Sequence, residues 1–446
     1  MTIVFSMRRR VPKAAVGLAL ALCVLAAAAQ GTDARQSKAV AASSALLGGV
    51  NLGSIGNTST TPEADRLIAY AAALHVSVVR IEMPWAVFEP LHPEQLAPGP
   101  LAFADRLMSD ASAAGIHVIL DIDDTPCWAS SAPKPALASC NPSRRSAANA
   151  WPPANPASYA AFVALVASRY GSELAAIEIW NEPDEVNEAY FAGPEKPVHY
   201  AAVLQAAYTA IKAANPSVPV LAGALVGSNG AFLRELYAAG IKGYYDGLAV
   251  HYYNLTLGSL RSIHEVQLAN GDTKPLWLDE FGWSSCWPAQ RLEQEQACVT
   301  AQAQAINLAN TYRALARTPW VAAAVSYKLQ DSRKESFGLI TAGGARKPAF
   351  AAFASALANP LGPISRTTVS LRRSGAHVIA SGSAATGDFM QLEVFKGTLL
   401  RFKALFTLNR FNRYSLTLPA ALGTTSLKVR VFQYWSGRAK AAQKQI

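Results

Sequence analysis

Residues 175–183 read Ala175-Ala176-Ile177-Glu178-Ile179-Trp180-Asn181-Glu182-Pro183, and residues 275–283 read Pro275-Leu276-Trp277-Leu278-Asp279-Glu280-Phe281-Gly282-Trp283. Each opens as a run that reads as a buried strand, over Ala175–Ile179 and Pro275–Leu278, and each then presents a glutamate. Working outward, the same kind of run recurs. Strands are predicted near Leu46–Leu52, Val76–Ile81, Ile116–Ile122, Ala175–Trp180, Val218–Ala222, Gly247–His251, Pro275–Glu280 and Val321–Tyr327. Amphipathic helix-like runs alternate with them at Pro62–Leu74, Ala104–Ala114, Pro156–Tyr170, Tyr200–Ala214, Ala231–Ala239 and Glu293–Ala316. Pro62 and Pro156 fall at helix starts, where a missing N–H costs nothing, and Gly115 and Gly240 follow helix ends. Alternation of this kind predicts an α/β chain folded as a (β/α)8 TIM barrel, with an open two-sided sheet as the alternative. Glu182 and Glu280 then sit at C-terminal strand ends, where barrels carry their chemistry.

The pattern changes after the Asn359-Pro360-Leu361-Gly362-Pro363 stretch. From Ser365 onward, β-branched and aromatic segments (Thr367–Leu371, His377–Ala380, Met390–Phe395, Ser415–Leu418, Leu427–Tyr434) are broken by Gly, Ser and Pro. They predict a small all-β sandwich. The expected organisation is a signal peptide (1–29), a polar linker (30–44), a catalytic barrel (45–360) and an accessory sandwich (361–446). A hydrophobic fraction of 51% and a charged fraction of 16% fit a buried core and exclude a disordered chain.

Charge is unevenly spread. Lys plus Arg against Asp plus Glu is 4 against 0 over residues 1–29, 23 against 28 over 30–360 and 13 against 2 over 361–446. The net +10 therefore combines a mildly acidic barrel with a basic C-terminal region. That region is expected either to be a plain soluble surface or to hold the protein near anionic cell-envelope or exopolysaccharide material; no nucleic-acid partner is expected.

Arg8, Arg9, Arg10 and Lys13 precede the apolar stretch Ala14–Ala28, and Ala27-Ala28-Ala29 offers a small-residue cleavage site. The expectation is a bacterial protein, secreted or associated with the cell envelope, with no membrane span once the signal is removed. An uncut anchor is the alternative. Removal also takes Cys23 and leaves Cys127, Cys140, Cys286 and Cys298. Four cysteines allow three pairings. Cys127–Cys140 and Cys286–Cys298 are expected, because the members of each pair share one loop region. No two of the four have the short spacing of a zinc knuckle, and no metal constellation is expected.

Two glutamates on different strand ends with aromatic neighbours suggest a general acid and a nucleophile working on a sugar. The Asn181-Glu182-Pro183 and Glu280-Phe281-Gly282-Trp283 motifs resemble those of clan A glycoside hydrolases, the retaining barrel enzymes. The resemblance covers about Leu46–Leu357 and is strongest to family 39 and its polysaccharide-processing relatives, with family 5 next. It rests further on Trp85, Thr125-Pro126-Cys127-Trp128 and the closing segments Ser326–Asp331, Phe337–Ile340 and Arg346–Phe350. It implies Glu182 as acid/base and Glu280 as nucleophile, with Arg80 supporting the nucleophile and Asn181 bonding the sugar 2-hydroxyl. In His251-Tyr252-Tyr253, it implies Tyr253 as a donor to the nucleophile and His251 as a pocket wall. A cation and hydrogen bonds should keep the nucleophile ionised, and the acid should be less well supported.

Trp85 and Trp283 are the expected aromatic sugar platforms, among a cluster with Trp128, Trp180, Trp287 and Tyr327. Asp123, beside Asp121 and Asp124, is expected either to read hydroxyls or to cap an Asx-type turn. Many clan members place a tryptophan at the end of strand 8, where this chain has Ser326 and Tyr327. The implied activity is hydrolysis of O-glycosidic bonds in an oligo- or polysaccharide, with no cofactor. A non-catalytic carbohydrate-binding barrel and a transglycosidase remain the alternatives.

Overall fold

The computed structural model describes residues 45–253, 256–286, 298–384, 390–433 and 441–446. The expected signal peptide, the polar linker, Trp287, Tyr434 and residues 293–297 of the sixth expected helix lie outside them. Eight parallel strands close a barrel in chain order: β1 (Leu47–Ser54), β2 (Val78–Glu82), β3 (His117–Ile122), β4 (Leu174–Ile179), β5 (Val220–Leu225), β6 (Gly247–His251), β7 (Leu276–Phe281) and β8 (Val321–Ser326). Closure is direct, since Gly49 of β1 pairs with Val78 of β2 on one side and Val325 of β8 on the other.

The barrel interior is built in layers, because alternate residues of each strand point inward. Val78, Ile119, Ala176, Ala249 and Trp277 form an apolar layer with Leu221, Ala323 and Val325. Two residues further along the same five strands stand Arg80, Asp121, Glu178, His251 and Asp279, all buried. Outward-facing residues such as Val79, Ile81, Leu120, Ile177 and Ile179 pack into the main core with the helices.

Helices cover the barrel at Thr61–Leu74, Pro98–Ala113, Pro156–Tyr170, Lys196–Ala214, Ala231–Ala238, Ser259–Ala269, Ala301–Leu315 and Pro348–Ala358. Asn155 caps one of them, accepting from the Ala157 N–H at 3.1 Å. The helix expected over Glu293–Ala316 begins only at Ala301 among the described residues. Cys298 is tied back to Cys286, and the Thr300 hydroxyl takes the Ala303 N–H, so the chain is capped there.

Seven strands follow the barrel: β9 (Ser370–Ser374), β10 (His377–Ser383), β11 (Met390–Lys396), β12 (Leu399–Phe406), β13 (Arg413–Thr417), β14 (Leu427–Gln433) and β15 (Ala442–Gln445). They make a three-stranded sheet, β13-β10-β9, and a four-stranded sheet, β12-β11-β14-β15, with antiparallel pairing throughout. Val378 and Ala380 of the first sheet share a second core with Met390, Leu392, Val394, Val429 and Val431 of the other. This is the expected all-β region, with β12 and β15 in addition. The Asn359–Pro363 peptide is held against the barrel, its carbonyls taking bonds from Arg313 and Arg317. Asn412 donates to Asn307 of the Ala301–Leu315 helix at 2.6 Å.

Candidate active site

The chain leaves β4 through an unusual turn. Trp180 has φ 74° and Glu182 has φ 43°, both in the left-handed region that non-glycine residues rarely adopt. The turn is secured by the Trp180 N–H on the Ile122 carbonyl (3.1 Å) and its indole N–H on the Tyr190 carbonyl (2.8 Å). It carries Glu182 over the barrel mouth. After β7, Gly282 passes so close to β8 that a Cβ would lie 2.5 Å from the Tyr327 carbonyl. Glu280 is therefore set on the inner edge of the same mouth.

Glu280 is received by three donors. Asn51 Nδ2 lies 2.8 Å and Arg80 Nη1 3.0 Å from its Oε1, and the Tyr253 hydroxyl donates to Oε2. His251 Nδ1 stands 2.8 Å from Glu182 Oε1 and 3.4 Å from Glu280 Oε2. One ligand-type atom from each of Glu182, His251 and Glu280 lies within 4.8 Å of the other two. Asn51, Arg80 and Tyr253 thus converge on Glu280, and His251 stands between the two glutamates.

Beneath them Arg80, fully buried, distributes its N–H groups over acids. Nη2 bonds Asp121 Oδ2 (3.0 Å), Glu178 Oε1 (2.9 Å) and Asn181 Oδ1 (3.0 Å); Nε bonds Glu178 Oε2 (3.1 Å). Burial raises the Glu280 carboxyl above its ordinary value, with His251, Arg80 and Tyr253 pulling it back down. The expectation that a cation would lower it is corrected here: desolvation outweighs the charge of an arginine shared among several acids. Burial also lowers His251 to about 4, against the pull of Glu280, so the imidazole is neutral at neutral pH. Asp121 and Asp279 are pushed up by burial, whereas at Glu178 burial is outweighed by the Arg80 charge and hydrogen bond together with a hydrogen bond from Asp279, and its carboxyl is held down.

The structure gathers Glu182, Glu280, Arg80, Asn181, His251 and Tyr253 into one network. Asn181 gives its carbonyl oxygen to Arg80. The two tryptophans expected as sugar platforms do not face solvent. Trp85 is 0% and Trp283 1% exposed, and Trp85 packs on Trp128, Tyr159 and Phe162 with its N–H on Glu89. Both brace the mouth from within, because large apolar rings next to a strand end are drawn into the helix–barrel core. Tyr327 is half-buried at the end of β8, edge-on to Tyr253 at 5.8 Å, its hydroxyl on Glu335. Asp123 is buried with Oδ1 lacking a partner, while the neighbouring Asp124 bonds Arg145 at 2.6 Å. Cys127–Cys140 and Cys286–Cys298 are disulfides, as expected.

Sequence reasoning missed Asn51, Glu178 and Asp279. The signal for the last two was present: each is an acid inside an otherwise apolar strand, and an acid there must face a partner. Glu178, His251 and Asp279 also bring ligand-type atoms within 4.8 Å of one another. A metal there would sit against the Arg80 guanidinium, which already neutralises that space.

Similar folds occur among solved glycosidases. A family 39 glycoside hydrolase from Bacteroides cellulosilyticus WH2 superimposes with a TM-score of 0.53 at 18% identity, covering 84% of this chain and 80% of that one. A family 39 β-xylosidase from Caulobacter crescentus gives 0.51 at 16% identity, covering 86% and 95%. The catalytic domain of a family 30 xylanase C from Talaromyces cellulolyticus gives 0.50 at 13% identity, covering 87% and 96%. No curated protein sequence matches. At these identities the likeness is one of fold. Residues 41–314 match the sequence model described as cellulase (glycosyl hydrolase family 5), the second of the two families to which the motifs point. That match spans more than half of the 446 residues, and the chain belongs to this family, within clan A of the glycoside hydrolases.

Proposed function

We propose that the protein is an exported retaining β-glycosidase, acting on O-glycosidic bonds of an oligo- or polysaccharide. Glu280 attacks the anomeric carbon while Glu182 protonates the leaving oxygen; Glu182 then takes a proton from water, which releases the sugar from Glu280. The observation that carries the reading is the way the two carboxyl groups are held at one mouth of the barrel. Glu280 accepts from Asn51, Arg80 and Tyr253, while Glu182 meets the neutral His251. Their approach, with oxygens within 4.8 Å, suits the retaining separation of about 5–5.5 Å better than the ~6.5–9.5 Å that leaves room for a water. Asn181 is assigned to the 2-hydroxyl, Tyr327 to the wall of the reacting subsite and Asp123 to a substrate hydroxyl. The catalytic domain is assigned to residues 45–360 and the accessory sheets to 361–446, whose basic surface holds the enzyme near anionic envelope or exopolysaccharide material. Export rests on the signal-like residues 1–29 and the two disulfides.

The test uses aryl β-glycosides with good and poor leaving groups. Glu280→Ala is expected to abolish turnover on all of them. Glu182→Ala is expected to lose about 10²–10⁴-fold where the leaving group is poor and much less where it is activated. Azide should then partly rescue Glu182→Ala and yield a β-configured glycosyl azide. Wild-type turnover by both alanine variants would place the chemistry elsewhere.

A further inference from the structure

Beside the mouth lies a groove that the two glutamates do not fill. It opens between the loop after β3 and the loop after β4, with a volume of about 530 Å³. Arg145, Trp151, Asn187 and Glu188 line it, with Ser146 and four alanines between them. The volume falls within the range of small-ligand sites. Both loops leave C-terminal strand ends, the side on which barrels meet their substrates.

The walls are tied to each other. The Ala192 N–H donates to the Ala150 carbonyl at 2.8 Å, and Arg145 Nη2 to the Ala189 carbonyl at 2.7 Å. The Thr125 hydroxyl holds the Trp151 carbonyl at 2.6 Å. Gly193, at φ 101°, passes so near Trp151 that a Cβ would lie 2.7 Å from its ring. Only glycine lets the second loop close on that ring.

Trp151 is nevertheless only half-buried. Trp85, Trp128 and Trp180 give their indole N–H groups to protein oxygens, whereas that of Trp151 finds no acceptor among the described residues. Arg145 uses Nε on Asp124 and Nη2 on Ala189, and its Nη1 has no partner among those residues. Asn187 accepts the Ala189 N–H on Oδ1, and its Nδ2 likewise has none. An aromatic ring accompanied by unspent N–H donors suits a pyranose, whose C–H face is apolar and whose edge carries hydroxyls. Asp124, 2.6 Å from Arg145, already balances the guanidinium charge, which favours a neutral sugar over an anionic one.

Tyr190 joins the groove to the reaction centre. The Arg145 guanidinium stands 5.7 Å from the centre of its ring. Burial raises its hydroxyl, and the charges of Glu182, Glu82 and Glu280 raise it further. One tyrosine side chain therefore runs from the groove wall into the field of the two glutamates.

We propose that this groove is a distal sugar subsite. It takes a further neutral pyranose unit of the substrate chain, with its C–H face on Trp151 and its hydroxyls on Arg145 Nη1 and Asn187 Nδ2. The inference rests on the glycosidase reading of the mouth and narrows it: the substrate is a chain of several sugars, and binding at a remote unit helps to place the scissile bond.

The test reads binding and turnover separately. Saturation-transfer NMR of the intact protein is run with cello-, xylo- and manno-oligosaccharides of two to six units, and the same spectra report any hydrolysis. Affinity is expected to rise with chain length in at least one series. Trp151→Ala should weaken the longest member of that series about 5- to 10-fold, and Trp151→Tyr, which keeps a platform, should recover most of the loss. Ala147 is exposed at the groove, so Ala147→Arg obstructs it without disturbing the core and should remove the length dependence even if Trp151→Ala fails to fold.

Absence of binding in all three series overturns the proposal, because stacking on an apolar face does not depend on one epimer. Affinity that is equal at every length, or indifferent to Ala147→Arg, overturns it too. Turnover with length-independent binding would sink the subsite and leave the glycosidase reading intact. Length-dependent binding that Ala147→Arg removes, with no turnover of any series, would support the subsite and count against the glycosidase reading.

Discussion

The barrel encloses its charge, whereas the sheets that follow it display theirs. Arg80, Asp121, Glu178 and Asp279 are all fully buried around one another. On β9, β12 and β13, Arg372, Arg373, Arg401, Lys403 and Arg413 are exposed, although Glu393 of β11 is buried. Desolvated charges interact strongly and at fixed geometry, so they can orient a reaction. Exposed charges produce a field that salt screens within about 10 Å at 0.1 M, so they can gather a polymer but not orient it. One chain carries both kinds of charge, and the two should respond to different perturbations.

The sharpest break would come from Arg80→Leu against Arg401→Leu. The first leaves several buried carboxyl groups without their cation and is expected to cost about 3–5 kcal/mol in urea unfolding, with loss of turnover. The second should stay within about 0.5 kcal/mol. Similar costs would mean that Arg80 is not the centre of the barrel's network.

The disulfides sharpen the comparison further. Cys127–Cys140 joins positions 13 apart in the barrel, and residues 361–446 contain no cysteine. Removing this bridge by Cys127→Ala/Cys140→Ala is expected to cost the barrel about 2–4 kcal/mol. Limited proteolysis should show barrel fragments opening first while the C-terminal sheets keep their protection. Fragments of the sheets appearing first would contradict this.

The smallest effects separate pH from salt. Turnover needs Glu280 ionised, and burial raises that group above 4.5, so activity should fall as pH drops through a limb displaced upward. Folding moves the other way for Asp121 and Asp279. Their raised values give a contribution that is complete below the ordinary carboxylate range and is lost as pH rises through the elevated values. Glu178 opposes them, since its lowered value gives stability above the ordinary range that is lost in acid. Retention on an anionic polymer should instead fall with added salt at constant pH, and equal retention on a neutral polymer at low salt would remove the basic surface from consideration.

Much of this was legible beforehand, for definable reasons. Gly247–His251 was predicted residue for residue, because a short apolar strand bounded by Asp246 and two tyrosines has few alternatives. Glu182 and Glu280 were legible because each ends such a run. The charged layer under them was harder, since Glu178 and Asp279 look like lapses in apolar strands until the period of two aligns them with Arg80 and Asp121. Asn51 left no sign, because an asparagine near a strand end reads as turn chemistry and its bond to Glu280 spans 229 positions. β12 was missed since its exposed face carries Leu399, Leu400 and Leu405 beside Arg401 and Lys403, which blurs the alternation. The tryptophans were misread because a ring near a mouth gives no hint of which side of the wall it occupies.

The left-handed turn after β4 has a consequence for how such a protein changes over generations. Glu182 holds a backbone conformation at φ 43° that glycine would adopt with less strain. A lineage released from the need for turnover would therefore find Glu182→Gly a stabilising drift, worth on the order of 1 kcal/mol. Inert descendants of this enzyme are expected to be harder to melt than the active form, and the acid persists only while selection acts on its chemistry.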